Sequence, residues 1–267
     1  MADQKKQVKI DVGDGAAIPS KSDKGLFSAW LISFFLAIAV LLGLLFYPDP
    51  AMAEKYRNIL VFLKDGIYVT FQVTFSSILL AIIIGFFTGL GRLSKIWIVN
   101  ILASTYVEIV RGIPLLVQLF YLYYALGKFI QVPDKLAAII AMSICYGAYM
   151  GEVFRAGIDS IDKGQTEAAR SLGFNGAQTM MYVILPQAWR TILPPVGNEF
   201  IALLKDTSLV SILGVADLLR RGREYASTSF DYFETYTMVA VVYLIITLIL
   251  SKLVSIMEER LGQHDQR

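Results

Sequence analysis

Long uncharged runs alternate with short polar interruptions along this chain. Residues 26–47, 66–91 and 235–251 carry no charge at all, and helix can continue past Lys252 to Met257. A spanning helix needs about 20 mostly apolar residues, and a lysine near a helix end can snorkel to the interface. Three mixed segments lie between these runs. Residues 96–127 are apolar except for Glu108 and Arg111, 136–161 until Glu152, Arg155 and Asp159, and 191–215 around Glu199, Lys205 and Asp206. Each reads as a span that turns its polar groups inward. The pattern predicts an all-α, polytopic helical membrane protein with six spans and no internal repeat.

Six spans place both termini on one side. With the N-terminus inside, fourteen Lys and Arg fall on inner segments and eight on outer ones. That asymmetry favours cytoplasmic termini and puts residues 162–189 in the cytoplasm. Residues 1–25 are polar and rich in Gly, Ser, Asp and Lys, a composition that predicts a disordered tail, and 258–267 form a second cytoplasmic tail. The first span precedes Ala51-Met52-Ala53, an A-x-A pattern, but its apolar run exceeds that of a signal peptide. An uncleaved anchor is expected. Residues 216–234 read as an external loop, where Arg220, Arg221 and Arg223 with nearby aromatics offer either a partner surface or a solvated turn.

Composition narrows the function. Of 267 residues, 56% are hydrophobic and 17% charged, against roughly 25% charged in soluble domains; the mean hydropathy is +0.59. A net charge of +2 with scattered basic residues gives nucleic acid no footprint. The single cysteine, Cys145, rules out an intrachain disulfide or a cysteine metal cluster. With His264 as the sole histidine, metal-assisted chemistry and a Ser-His or Cys-His device are not expected. No G-x-x-x-x-G-K-[ST] phosphate loop is present, so the chain is not expected to hydrolyse ATP.

The polar stretch 162–189 has the grammar of a helical hairpin. Asp162 can cap a helix with Gln165 completing a capping box, and Asn175 can cap a second one with Gln178. Gly173 stands where the first helix must end in a left-handed residue, and Pro186 ends or bends the second. Exposed small residues at Ala168 and Ala169 would admit another backbone, and Glu167 offers it a charge. Local physics leaves open a docking surface or an amphipathic helix lying on the membrane.

The run Glu167-Ala168-Ala169, then Gly173, then Val183-Ile184-Leu185-Pro186 resembles the EAA loop of binding-protein-dependent ABC importer permeases. Val183 stands where that family prefers Ile. Residues 108–118, 147–157 and 198–209 are similar in turn to three core helices of the polar amino-acid branch, and the resemblance covers about residues 66–261. It implies a type I ABC importer permease core of five helices within residues 66–257, with 26–47 as one extra N-terminal transmembrane helix. It further implies a multi-pass protein of the bacterial inner membrane. Its implied partners are a second permease chain, two ATP-binding subunits that hold ATP and Mg, and an extracytoplasmic amino-acid-binding protein. No cofactor is implied on this chain. The coupling loop would use Glu167, Ala168, Ala169, Gly173, Leu185 and Pro186.

Ionisable groups inside spans are costly and mark functional sites by default. Glu199 and Asp206, seven apart, share a helix face, whereas Lys205 points elsewhere. Either carboxylate could accept a substrate ammonium, with Gln118 donating to its carboxylate; the bland alternative is a structural pair. Pro194-Pro195 and Gly197 would free backbone groups to line a cavity. Glu108 with Arg111, and Glu152 with Arg155, are each three apart and can pair along their own helices. They read as an ion-pair network at the inner mouth, or a gate. The competing class is a self-contained secondary transporter or channel using these intramembrane acids.

Overall fold

The computed structural model describes residues 28–129 and 132–262. The expected N-terminal tail and His264 lie outside the described residues. Every regular element among those described is helical: α1 (Ala29–Leu45), α2 (Pro50–Arg92), α3 (Trp97–Gly112), α4 (Leu115–Phe129), α5 (Asp134–Asp159), α6 (Lys163–Ser171), α7 (Gly176–Thr179), a π turn (Met180–Ile184), α8 (Leu185–Asp206), a 3-10 turn (Thr207–Leu213), α9 (Leu218–Ser229) and α10 (Tyr232–Gly262). Helices α2, α5 and α10 are long and apolar enough to cross a membrane, and α3 with α4 qualify as one span only if taken together. The apolar helix α1 has 17 residues. Helix α10 runs on to Gly262.

Three expectations change. The second span is far longer than its uncharged run, because α2 has 43 residues, about 65 Å at 1.5 Å each and about twice the hydrocarbon thickness. Asp49 accepts the Ala51 N–H and Pro50 opens the first turn. Ala53, Tyr56, Ile59, Leu63 and Gly66 then form a buried stripe at helical spacing. The third expected span is broken between Gly112 and Leu115 and bent by 109°. Pro114 removes an N–H there and forces Ile113 into extended geometry (φ −107°, ψ 134°). The expected external loop is a helix, α9, whose buried Leu218, Gly222 and Ala226 pack on α2 and α10.

The centre of the fold is the seam between α2 and α5. Gly85 and Gly89 of α2 face Met150, Phe154 and Gly151 of α5, while Gly147 and Gly151 face Ile84 and Thr88. A methyl group at Gly89 would sit 2.7 Å from Phe154 Cβ, and one at Gly147 2.6 Å from Ile84 Cγ2. Small residues let membrane helices approach until backbones pack. A main cluster through Ala81, Met150, Phe154, Ile192 and Leu203 extends this seam to α8. A second cluster joins the first turns of α2 to α9 and α10 through Tyr56, Ile59, Leu63, Leu218 and Met238. Helix α1 lies against α10, where Trp30 Nε1–H donates to the Leu248 carbonyl at 2.9 Å and Lys252 sits over the indole. The outward faces carry exposed Phe35, Leu36, Leu79, Phe87 and Leu253, as contact with lipid tails allows.

Helix α9 is held by buried polar groups. Asp217, 0% exposed, caps it by accepting the Leu219 and Arg220 N–H groups at 3.1 and 3.0 Å. Thr70 Oγ1 accepts the Leu218 N–H at 3.1 Å. Its arginines bond within the fold although Arg223 is exposed and Arg220 and Arg221 are half-buried. Arg220 and Arg221 hydrogen-bond Glu224, and Arg220 and Arg223 donate to the Ser211 carbonyl. The Arg220 hydrogen bond, aided by Arg221, holds the Glu224 carboxyl below its usual range.

Two measurements check this packing. Gly89→Val forces α2 and α5 apart and should destabilise the protein by about 1–3 kcal/mol or more, read as a lower melting temperature in detergent. Gly43→Ala, with nothing within 4 Å of the added Cβ, should not lower it. Burial pushes the Asp217 carboxyl up to about 6, although backbone N–H bonds, those of Arg220 and Leu219 first, and Arg223 oppose it. A carboxyl whose folded pKa is raised binds its proton more tightly in the folded state. Stability should therefore fall as pH rises from about 4 through about 6. Asp217→Asn keeps the cap and should flatten that part of the melting-temperature profile.

Candidate functional site

Three sites assemble around α5 and α8. The first is the hairpin of α6 and α7. Asp162 caps α6 through the Gly164 N–H at 2.7 Å. Gln165 does not close the expected box; its Oε1 instead accepts from Gln187 Nε2 at 3.2 Å, which ties α6 to the start of α8. Asn175 and Gln178 form the complete box, with both bonds at 2.9 Å. Gly173 adopts φ +86°, which only glycine accepts without strain. Pro186 does not end the second helix. The π turn before it leaves the Leu185 N–H bonded to the Met180 carbonyl, and the wider turn makes room for the ring. The hairpin therefore continues without a break into α8.

Glu167, Ala168, Gly173 and Pro186 are exposed and Leu185 is half-buried. Ala169 departs from expectation: it is 3% exposed and packs inward, so Ala168 alone of the pair admits an approaching backbone. Leu172, Phe174, Met181 and Tyr182 supply exposed apolar surface around Gly173. None of these four was assigned to the site from the sequence.

The second site is a polar cluster where α3, α5 and α8 meet. Asp206 accepts the Tyr146 hydroxyl at 2.7 Å. Tyr146 contacts Tyr149 with ring centroids 5.7 Å apart, and the Arg111 guanidinium lies 5.6 Å over the Tyr149 ring. Glu199 interacts electrostatically with both Arg111 and Asp206. Glu199 and Asp206 thus share a face, as expected, and Lys205 is exposed elsewhere. Tyr146, Tyr149 and Arg111 are the members that the sequence did not assign to this site. Helix α8 stays helical through Pro194 and Pro195.

Gln118 is not available to this cluster as a donor. It is 8% exposed, and its side-chain N–H groups go to the Val110 and Ile113 carbonyls at 2.5 and 2.6 Å.

The third site is an ion-pair network where α2 and α5 approach their C-terminal ends. Glu152 binds Arg155 at 2.5 Å, as the spacing predicts, and also Arg92 of α2 at 2.5 Å. Arg155 reaches Asp159 at 3.8 Å. The expected pair of Glu108 with Arg111 does not form. Glu108 is 75% exposed and faces Arg92 at 3.6 Å, while Arg111 turns to Tyr149. Spacing along α3 permits the pair, but Arg92 from the neighbouring helix and the Tyr149 ring offer each residue a better partner. Arg92 was unreadable in advance, because nothing in the sequence brings the end of α2 to Glu152.

Residues 77–263 match the model of the family described as binding-protein-dependent transport system inner membrane component. The chain belongs to this family. Similar relatives include "Probable amino-acid permease protein YxeN" of Bacillus subtilis, 40% identical over 205 residues, covering 75% of this chain and 92% of the relative. "Glutamine transport system permease protein GlnP" of Escherichia coli K12 is 38% identical over 202 residues, covering 74% and 92%. "L-cystine transport system permease protein TcyB" of Bacillus subtilis is 40% identical over 204 residues, covering 76% and 87%. A solved amino acid ABC transporter with histidines is 41% identical, with a TM-score of 0.73 over 79% of this chain and 98% of that one. The MetNI methionine ABC transporter, at 20% identity and a TM-score of 0.67 over 76% and 98%, shares the fold. The family makes the chain a membrane transport component rather than a catalytic subunit.

The ion-pair network yields a stability test. Glu152→Ala leaves Arg92 and Arg155, 16% and 30% exposed, facing each other without their shared carboxylate. That should cost about 1–3 kcal/mol, measured by thermal unfolding in lipid. Glu108→Ala, at an exposed site, should change stability by no more than about 1 kcal/mol.

Proposed function

We propose that this chain is the permease subunit of an ATP-driven importer of polar amino acids, amide or cationic side chains being favoured. It works as one of a pair of permease chains, and the α6–α7 hairpin seats against a separate ATPase that holds ATP and Mg. An extracytoplasmic binding protein supplies the substrate. The α6–α7 end faces the cytoplasm of a bacterial cell, with both termini on that side of the inner membrane.

The observation that carries this reading is the continuity of the hairpin with α8. A rigid, exposed turn ends at Gly173, and the helix that leaves it runs through the π turn into α8, which carries Glu199 and Asp206. Movement imposed at the turn is delivered to the polar cluster without a flexible link. The cluster offers opposite charges to a zwitterion: Asp206 and Glu199 for the ammonium, and the Arg111 guanidinium for the carboxylate. Arg111 takes the role first assigned to Gln118. The names of the glutamine and L-cystine relatives support an amino-acid cargo.

Co-purification with a candidate partner ATPase tests the reading. Wild type should retain the ATPase, whereas Glu167→Lys and Gly173→Leu should remain folded in the membrane and lose it, with substrate-stimulated ATP hydrolysis falling at least about tenfold. If the wild-type chain binds no ATPase and moves amino acids alone, the importer reading is wrong. The intramembrane acids would then be an ion-coupling site.

A further inference from the structure

The break between α3 and α4 is repaired by one side chain. In a continuous helix the residue at 114 would donate its N–H to the Val110 carbonyl. Pro114 has no N–H, so that carbonyl is orphaned. The Ile113 carbonyl is orphaned as well: its helical donor would be the Val117 N–H, but Ile113 is extended and the backbone bond that opens α4 is Gln118 N–H to Pro114 O at 3.1 Å. An unpaired carbonyl in an apolar medium is expensive. Gln118 Nε2 donates one hydrogen to Val110 O and the other to Ile113 O. Its Oε1 accepts from Cys145 Sγ of α5 at 2.8 Å, so the thiol anchors the amide to the central seam. The amide orientation follows from chemistry. Two carbonyls can only accept, so the NH2 must face them and the oxygen must face the thiol.

This clip lies next to the polar cluster. Val110 adjoins Arg111, and Arg111 sits over Tyr149 of the same helix that carries Cys145. We propose that Gln118 is a positioning residue for transport: its amide sets the bend between α3 and α4 and so holds Arg111 against Tyr149. The transport consequence rests on the function proposed above, while the geometric claim does not. The need for two donors explains glutamine at this position. Glutamate has nearly the same shape but offers at most one donor, and that only when protonated, where two carbonyls need one each; leucine fills the space without donating.

The test uses the full chain with its ATPase in lipid nanodiscs, carrying spin labels at the exposed positions Leu102 and Tyr121, on either side of the break. Electron–electron double resonance should give one narrow distance for Gln118. Gln118→Glu and Gln118→Leu should both broaden or shift it. In proteoliposomes supplied with the binding protein, uptake of radiolabelled L-glutamine or L-arginine should fall about tenfold or more. Adding Pro114→Ala to Gln118→Leu returns an N–H to Val110 O and should restore a single narrow distance, longer if α3 and α4 now run on as one helix. A wild-type distance distribution in Gln118→Glu would overturn the proposal, since the paired donation to both carbonyls would then be dispensable. So would a distribution that stays broad in the Pro114→Ala, Gln118→Leu double variant. If the distances change as expected but wild type takes up neither amino acid, the cargo reading fails and the clip stands.

Discussion

Helices α2 and α5 touch at backbone distance, and the other elements take their places from that contact. In lipid there is little hydrophobic drive to press helices together, so association depends on close packing and on hydrogen bonds. Glycines at 85, 89, 147 and 151 let two long helices meet where any side chain would hold them apart. That closeness brings the end of α2, with Arg92, to Glu152. It also lets Tyr106 of α3 reach the Ile144 carbonyl and Cys145 reach Gln118 of α4. The partners of the ion-pair network and the wall of the polar cluster are consequences of this seam.

Prolines set a second constraint, because each removes a backbone donor from the helix it enters. The chain answers in three ways. At Pro114 a glutamine side chain takes over the lost bonds and the helix turns sharply. At Pro186 a π turn absorbs the ring and the helix runs on. At Pro194 and Pro195 the helix persists beneath the polar cluster. The first answer makes a fixed corner, and the second makes a continuous rod between the exposed hairpin and Asp206. The coupling proposed for the hairpin uses both.

Local chemistry was readable wherever a residue acts on its sequence neighbours. The Asn175 box, the Asp162 cap, the positive φ at Gly173 and the Glu152–Arg155 pair all depend on contacts a few residues apart. They appear as their spacing predicts. Readings that needed a neighbour from another helix went astray. Gln118 looked like a substrate donor because an amide inside a span suggests function, yet its nearest orphaned acceptors were five and eight residues back along its own chain. Residues 216–234 looked like a loop because charges and aromatics dominate them. Leu218, Gly222 and Ala226 nonetheless match a groove formed by α2 and α10.

From its order of residues alone the chain is an all-helical membrane protein with a capped, glycine-hinged polar hairpin and acids inside its spans. Apolar run lengths, capping residues and i, i+3 charge pairs act over distances that covalent connectivity already bounds. Which helix turns Arg111 toward Tyr149, why Glu108 answers to Arg92, and where the third span bends were settled only in three dimensions. Each depends on which side chain from a distant part of the chain reaches a buried polar group first, and that competition has no signature in local spacing.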